Sequence, residues 1–365
     1  MQFAEGPKIA SIVKTLPKPL LRNAAAPLAS HDDTPKRQDM LRRFMPTPYA
    51  RDVQVMHRTV RLETNCEAVL DLAEQFFRTH KYAPAPDPQF LWRIVCEPAS
   101  HFEPTPVPCS GFSDSGLCYV SIGQRGFIAV DLENREAVAY FSDRFLDADA
   151  AFRYRPPLDT LFCLTAAPLG LTTLSAGCVA SKDRGILVLG PPNSGKTTAC
   201  YLAAKHDLDF HADQVVFLDQ RNNDQNDNGH GDKALRVWGD TLPAVFRPET
   251  VKYLPELLET THPSTYDDVS FLYFDKSPMQ ARWARPVMPI GCVFLNRDAQ
   301  RKELRRLSPE ESALQLRRSL LFQEDARFDA QITQALTALT QKPVYELNYP
   351  GDPNIAAGVI QELLR

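Results

Sequence analysis

The chain has 365 residues, with 41 Lys and Arg against 45 Asp and Glu for a formal charge of −4, and 44% hydrophobic and 24% charged residues. This balance excludes disorder throughout, and at a pI of about 6.1 the chain lacks the clustered Lys and Arg excess that gripping nucleic acid requires. Its length predicts roughly two domains, each with enough interior to fold without disulfides or a structural metal.

The first fifty residues hold seven prolines and eight basic against four acidic side chains. That composition predicts a mobile Pro-rich arm over 1–50. The apolar run at 9–13 is too short for a secretion signal and stops at Lys14. Residues 51–155 read as a small α+β domain. Residues 60–63 alternate as a strand, and 66–77 carry apolar side chains at helical spacing ahead of Pro84, Pro86 and Pro88. Further short strands are expected at 90–96, 117–122, 126–131 and 137–141. This half shows no chemical signature, and a recognition role follows from its position alone.

The segment 160–181 is uncharged, but Pro168, two glycines and several Ser and Thr interrupt it. It reads as a buried helix followed by a buried strand, and no membrane span is expected. The eight cysteines form no CxxC pair and lie mostly in apolar runs, so they read as buried thiols in a reducing, cytoplasmic setting. The histidines form neither HxxH nor HExxH, which gives a His-built metal site no support.

Residues 156–365 differ in kind. A strand at 185–189 leads through a glycine turn into a helix at 196–205, and a strand at 209–218 follows, making a βαβ unit. The stretch 219–232 is almost entirely polar and reads as an exposed loop. Strands are expected near 235–237 and 287–295. Ser308-Pro309-Glu310-Glu311 and Asp352-Pro353 have the form of helix starts.

Gly190-Pro191-Pro192-Asn193-Ser194-Gly195-Lys196-Thr197 fits GxxxxGK[ST], placed where a phosphate-binding loop belongs, between a buried strand and a helix. The glycines let the backbone fold around a polyphosphate, and the amides from Asn193 through Thr198 face it at a helix N-terminus. Lys196 is placed to reach the β and γ phosphates of ATP, and Thr197 offers an oxygen to Mg²⁺. The carboxylate expected to complete the site is Asp213, on the strand after the loop's helix, as catalytic base and second Mg²⁺ ligand. Asp219 reads as the turn residue ending that strand, and His211 as a packing or solvent-facing residue. Arg247, Arg282, Arg285 and Arg297 are the cations available to neutralise transition-state charge. Trp238 and Trp283 read as core or as stacking surfaces.

The arrangement resembles the HPr kinase/phosphorylase family and the serine-kinase-like proteins that share its C-terminal catalytic domain. In that family an Ala-Asp-Asp follows the loop lysine at a set distance, its first Asp being the base. Here Ala212-Asp213-Gln214 stands at that distance, seventeen residues after Lys196. A family His-Gly pair before the loop corresponds to Ser175-Ala176, so the histidine is Ser175 and the second Asp is Gln214. The family's substrate loop has its nearest counterpart in 236–243.

The resemblance implies a bacterial C-terminal domain with a mixed sheet, related to phosphoenolpyruvate carboxykinase. It also implies ATP and Mg²⁺ as cofactors, and phosphoryl transfer to a hydroxyl, that of serine, on a protein or peptide. With serine at 175, the family's reverse, phosphorolytic activity is not expected. Neither nucleic acid nor membrane is an expected partner, while a second copy of the chain is admitted. Two other readings stay open: a catalytically weak nucleotide-gated regulatory or scaffold protein, and a small-molecule kinase or ATPase.

Overall fold

A computed structural model describes residues 46–77, 87–98, 110–114, 116–121, 126–143, 158–205, 208–220, 234–240, 243–266, 269–276, 279, 285–297, 300–321 and 325–365. The expected arm up to residue 45, the polar loop at 221–233, and Arg282 and Trp283 lie outside the described residues. The chain is a mixed α/β protein with several sheets.

The first half builds one seven-stranded sheet. In chain order it contains β1 (Tyr49–Val55), β2 (Arg58–Thr64), helix α1 (Glu67–Phe77), β3 (Phe90–Glu97), β4 (Ser110–Asp114), β5 (Leu117–Ser121), β6 (Gly126–Asp131) and β7 (Glu136–Ser142). The sheet order is β1-β2-β3-β7-β6-β5-β4, with β3 parallel to both β2 and β7 and the other pairs antiparallel. β1 and β2 form a hairpin whose two tip residues, Met56 and His57, have φ of 48° and 63°. Two consecutive left-handed residues match the right-handed twist of the strands they join. Helix α1 buries Val69, Leu70, Leu72, Ala73, Phe76 and Phe77, the face that the sequence spacing marks. Its Phe77 ring packs 5.7 Å from that of Trp92 on β3.

Next comes α2 (Thr160–Thr165), all six residues of which are buried. The second half then runs through β8 (Leu171–Ser175), β9 (Gly177–Ser181), β10 (Arg184–Leu189), α3 (Lys196–Ala204), β11 (Asp209–Ala212), β12 (Val215–Asp219), β13 (Arg236–Gly239) and β14 (Ala244–Phe246). It continues with α4 (Leu257–Thr260), β15 (Thr261–Tyr266), β16 (Val269–Phe274), β17 (Met288–Asn296), β18 (Glu303–Arg306), α5 (Pro309–Arg318), α6 (Asp329–Thr340), β19 (Val344–Asn348) and α7 (Pro353–Leu364).

The central sheet has the order β11-β9-β10-β17-β19-β18, and β10, β17 and β19 are mutually parallel. Helices α3 and α7 cover one face, against Val179, Val188 and Val293. The other face carries Leu187, Leu189 and Cys292 against Leu316, Ile332 and Leu339 of α5 and α6. Burial on both faces explains why β10 and β17 read as unbroken apolar runs. Smaller three-stranded sheets, β13-β12-β8 and β14-β16-β15, flank it.

Two expectations need correction here. The single strand expected at 209–218 is two strands in different sheets, broken at Asp213 and Gln214. The expected helix-then-strand at 160–181 is a short helix followed by two strands, with Ala176 as the joint. These two crossings between sheets meet, for the Ala176 N–H donates to the Gln214 carbonyl at 3.1 Å.

The helix starts form as their sequences indicate. Ser308 and Glu311 make a reciprocal capping box on α5, and the Asp352 carboxylate accepts from the Asn354 N–H at 3.0 Å on α7. Among the described residues no helix is long and apolar enough to cross a membrane.

Candidate functional site

The glycine loop leaves β10 at the C-terminal end of the parallel strands, where α/β sheets open a crevice for ligands. Gly190 has φ of 141°, and a Cβ there would lie 2.6 Å from the Leu295 carbonyl oxygen, so only glycine lets the chain turn this close to β17. Asn193 is left-handed at φ 65°, a conformation asparagine tolerates. Gly195, the N-cap of α3, has φ of 89°, and a Cβ would meet the Tyr349 hydroxyl at 2.6 Å.

Hydrogen bonds hold the loop in place. The Ser194 N–H donates to the Pro191 carbonyl at 3.2 Å, and the Tyr349 hydroxyl donates to the Ser194 carbonyl at 2.6 Å. Lys196 arches back so that Nζ donates to the carbonyls of Gly190 at 2.8 Å and Pro191 at 3.0 Å. Burial holds the lysine below its ordinary pKa, against the pull of Asp213. No side chain caps α3, which leaves its first-turn amides, those of Lys196, Thr197 and Thr198, without an intrahelical partner. The Ser194 Oγ is buried without a hydrogen-bond partner.

Asp213 lies at the joint between β11 and β12 and is 1% exposed. Its Oδ2 accepts from the Val245 N–H at 3.3 Å and from Gln214 Nε2 at 3.2 Å. Its Oδ1 accepts no well-formed hydrogen bond, although the Thr197 hydroxyl bears on the carboxylate and favours its charged form. Burial raises the Asp213 pKa, with Lys276 opposing that rise and Asp240 reinforcing it. A buried carboxylate oxygen left open beside Thr197 suits a hard cation that keeps most of its own water. Thr197 and Asp213 would hold Mg²⁺, and the loop amides with Lys196 would hold the phosphates. Among the described residues no three His, Cys, Asp or Glu side chains gather as a metal cluster, so any divalent ion here would rest on few protein oxygens.

The structure therefore brings together Gly190, Ser194, Gly195, Lys196, Thr197 and Asp213. Ser175 is close by, paired opposite Val215 in the β8–β12 ladder, with its N–H donating to the Ser319 carbonyl at 2.7 Å. Arg297 follows β17 beside the 349–352 turn, and its charge bears on Tyr349, the residue that braces the loop. Arg247 and Arg285 are exposed, the former 5.7 Å from the Phe271 ring.

One further reading changes, while Trp238 and His211 take up the packing roles open to them. Asp219 is no turn residue: it is the last residue of β12 and fully buried. Arg58 Nη1 lies 2.7 Å from its Oδ2, and Trp238 Nε1 donates to the same oxygen at 3.3 Å. Trp238 is thereby an interior residue with no stacking face to offer. His211 is buried with Nε2 3.2 Å from the Val237 carbonyl, and burial lowers its pKa to about 4, so it packs as a neutral ring. Sequence reasoning missed Lys276 and Tyr349 altogether and placed Asp240 only within the 236–243 stretch likened to a substrate loop, since each acts on the site from far along the chain.

No family model and no curated protein sequence matches the chain. Among solved structures it is similar to the HPr(Ser) kinase/phosphatase from Coxiella burnetii, at 12% identity over 52% of this chain and 88% of that one. The TM-score is 0.26, and a likeness of that size carries no argument for fold or function.

Proposed function

We propose that the chain is an ATP-dependent phosphotransferase that moves a γ-phosphoryl group to a hydroxyl, that of serine on a protein or peptide. The observation that carries this reading is the buried Asp213 carboxylate, with one oxygen open beside Thr197, at the mouth of a formed GxxxxGK[ST] loop. In this reading the loop amides and Lys196 fix the phosphate chain, and Lys196 exchanges its loop carbonyl partners for phosphate oxygens. Mg²⁺, held by Thr197 and Asp213, would supply charge neutralisation along the phosphate chain. Asp213 orients the acceptor hydroxyl. As the new P–O bond forms and the bond to ADP breaks, Asp213 takes the hydroxyl proton.

One observation favours a second reading. Gln214 donates an uncharged amide into Asp213, where a second carboxylate would strengthen metal binding, and Ser175, paired opposite Val215, brings no cation. A protein so equipped would bind ATP and signal its occupancy to a partner while turning it over weakly.

Label transfer from γ-labelled ATP to serine-containing proteins and peptides separates the two. Asp213→Asn should keep ATP affinity in EDTA, forfeit the tightening that Mg²⁺ brings, and lose about 100-fold or more in turnover. Lys196→Ala should weaken ATP binding itself. Wild-type turnover no faster than that of Asp213→Asn, on every acceptor, would end the kinase reading.

A further inference from the structure

The strand break that presents Asp213 is imposed from elsewhere in the chain. Oδ2 of Asp240, the residue following β13, accepts from three successive backbone N–H groups: Asp213 at 2.9 Å, Gln214 at 3.2 Å and Val215 at 3.5 Å. Its Oδ1 accepts from Lys276 Nζ at 2.5 Å, and the same ammonium lies 3.4 Å from the Asp240 carbonyl oxygen. Asp240 is 5% exposed and Lys276 1% exposed, with the ammonium 5.6 Å from the centre of the Phe210 ring on β11.

Burying two opposite charges costs enough desolvation that well-packed apolar residues often serve stability as well or better. Asp240 does something no apolar residue could, because it takes up three consecutive donors that a continuous strand would commit to a ladder. Side chains alternate between faces along an unbroken strand, so a chain running straight through 209–219 would turn the Asp213 carboxylate away from its present direction. The glycine loop has separate supports, in Tyr349 and in the carbonyls bound by Lys196.

We propose that Asp240 and Lys276 are positioning residues: Lys276 orients the Asp240 carboxylate, and Asp240 fixes the backbone of 213–215 so that Asp213 faces Thr197 across the phosphate site. The proposal rests on the reading of Asp213 as the carboxylate that serves Mg²⁺. Its consequence is a division of labour, in which the loop holds nucleotide unaided and the Asp240–Lys276 strut supplies only the metal-dependent part.

The test measures ATP affinity by calorimetry on the full chain, once in EDTA and once with Mg²⁺, for wild type, Asp240→Asn, Lys276→Met and Lys276→Arg. The double variant Asp240→Asn/Lys276→Met removes both charges and serves where a single change leaves an unpaired buried ion and fails to fold. In EDTA all should bind ATP within about threefold of wild type, while the roughly tenfold tightening by Mg²⁺ in wild type disappears from Asp240→Asn and from the double variant. Lys276→Arg, which keeps the charge, should restore most of the tightening lost in Lys276→Met.

Retained Mg²⁺ tightening in Asp240→Asn would overturn the proposal. So would an equal loss of affinity in EDTA and Mg²⁺, which marks a merely structural pair, or a wild type whose ATP affinity ignores Mg²⁺. If wild type shows the Mg²⁺ linkage and the variants lose it, while no acceptor is ever phosphorylated, the strut stands and the phosphotransferase reading falls.

Discussion

Replacing Arg58 tests how the two halves of the molecule are joined. Arg58 opens β2 just past the tip of the β1–β2 hairpin and reaches into the second half, 1% exposed at its side chain. Nε donates to the Leu169 carbonyl at 2.8 Å, and Nη1 donates to the Met56 carbonyl at 2.5 Å and to Asp219 Oδ2 at 2.7 Å. In Arg58→Met the Asp219 carboxylate, 0% exposed, loses its counter-charge and keeps the Trp238 indole N–H. An uncompensated buried charge costs about 3–5 kcal/mol, a large share of the roughly 5–15 kcal/mol that stabilises a typical protein. Urea unfolding followed by circular dichroism should show the midpoint fall by the corresponding amount at constant slope. The double variant Arg58→Met/Asp219→Leu should recover to within about 1 kcal/mol of wild type, because it removes the stranded charge along with its partner. A single-variant loss below about 1 kcal/mol, or a double variant no better than the single, would refute the argument that this pair is held in a dry interior.

Two further outcomes follow from the same geometry. His211 is neutral when folded, with a pKa lowered to about 4 by burial, whereas the unfolded chain takes up that proton near pH 6.5. Stability should therefore fall as pH drops from 6.5 towards 4, by up to about 3 kcal/mol from this residue. His211→Gln should flatten that limb of a stability–pH curve, and an unchanged slope would show that the proton goes elsewhere. Tyr349→Phe removes the hydroxyl that holds the Ser194 carbonyl at 2.6 Å. Calorimetry should find ATP binding weaker by about three- to tenfold, and affinity equal to wild type would show that the loop keeps its shape unaided.

What the sequence made legible was local. The glycine loop announces itself because its requirements fall within eight residues, and the starts of α5 and α7 because each cap reaches only two or three residues forward. The division of 209–218 into two strands was hidden, because its cause is a carboxylate at Asp240 that no periodicity connects to Asp213. Asp219 looked like a turn residue because it precedes a polar stretch. Its partner Arg58 lies 161 residues earlier, and nothing in either neighbourhood signals the pairing. Strand β1 escapes the sequence reading because only two of its seven residues, Val53 and Val55, are buried. Asp213 is singled out in the sequence by its place after the loop's helix and by its spacing to Lys196, while its contact with Val245 on β14 could not be read from sequence.

The hydrophobic interior has a bearing on how this protein can be altered. One apolar cluster runs from Leu62, Phe77 and Trp92 in the first half, through Phe162 on α2, to Val215, Phe217 and Trp238 behind the strands that present Asp213. The Phe162 ring touches both sides, with centroids 5.6 Å from Phe77 and 4.7 Å from Phe217. A shortened chain beginning near residue 156 would strip the cover from Phe162, Phe217 and Trp238 and offer that face to any sticky surface. Exchanging the first half for a foreign domain would meet the same obstacle, because the newcomer must reproduce the aromatic relief of Phe77 and Trp92. This architecture is therefore more readily altered at exposed loops than by recombination across residues 158–171.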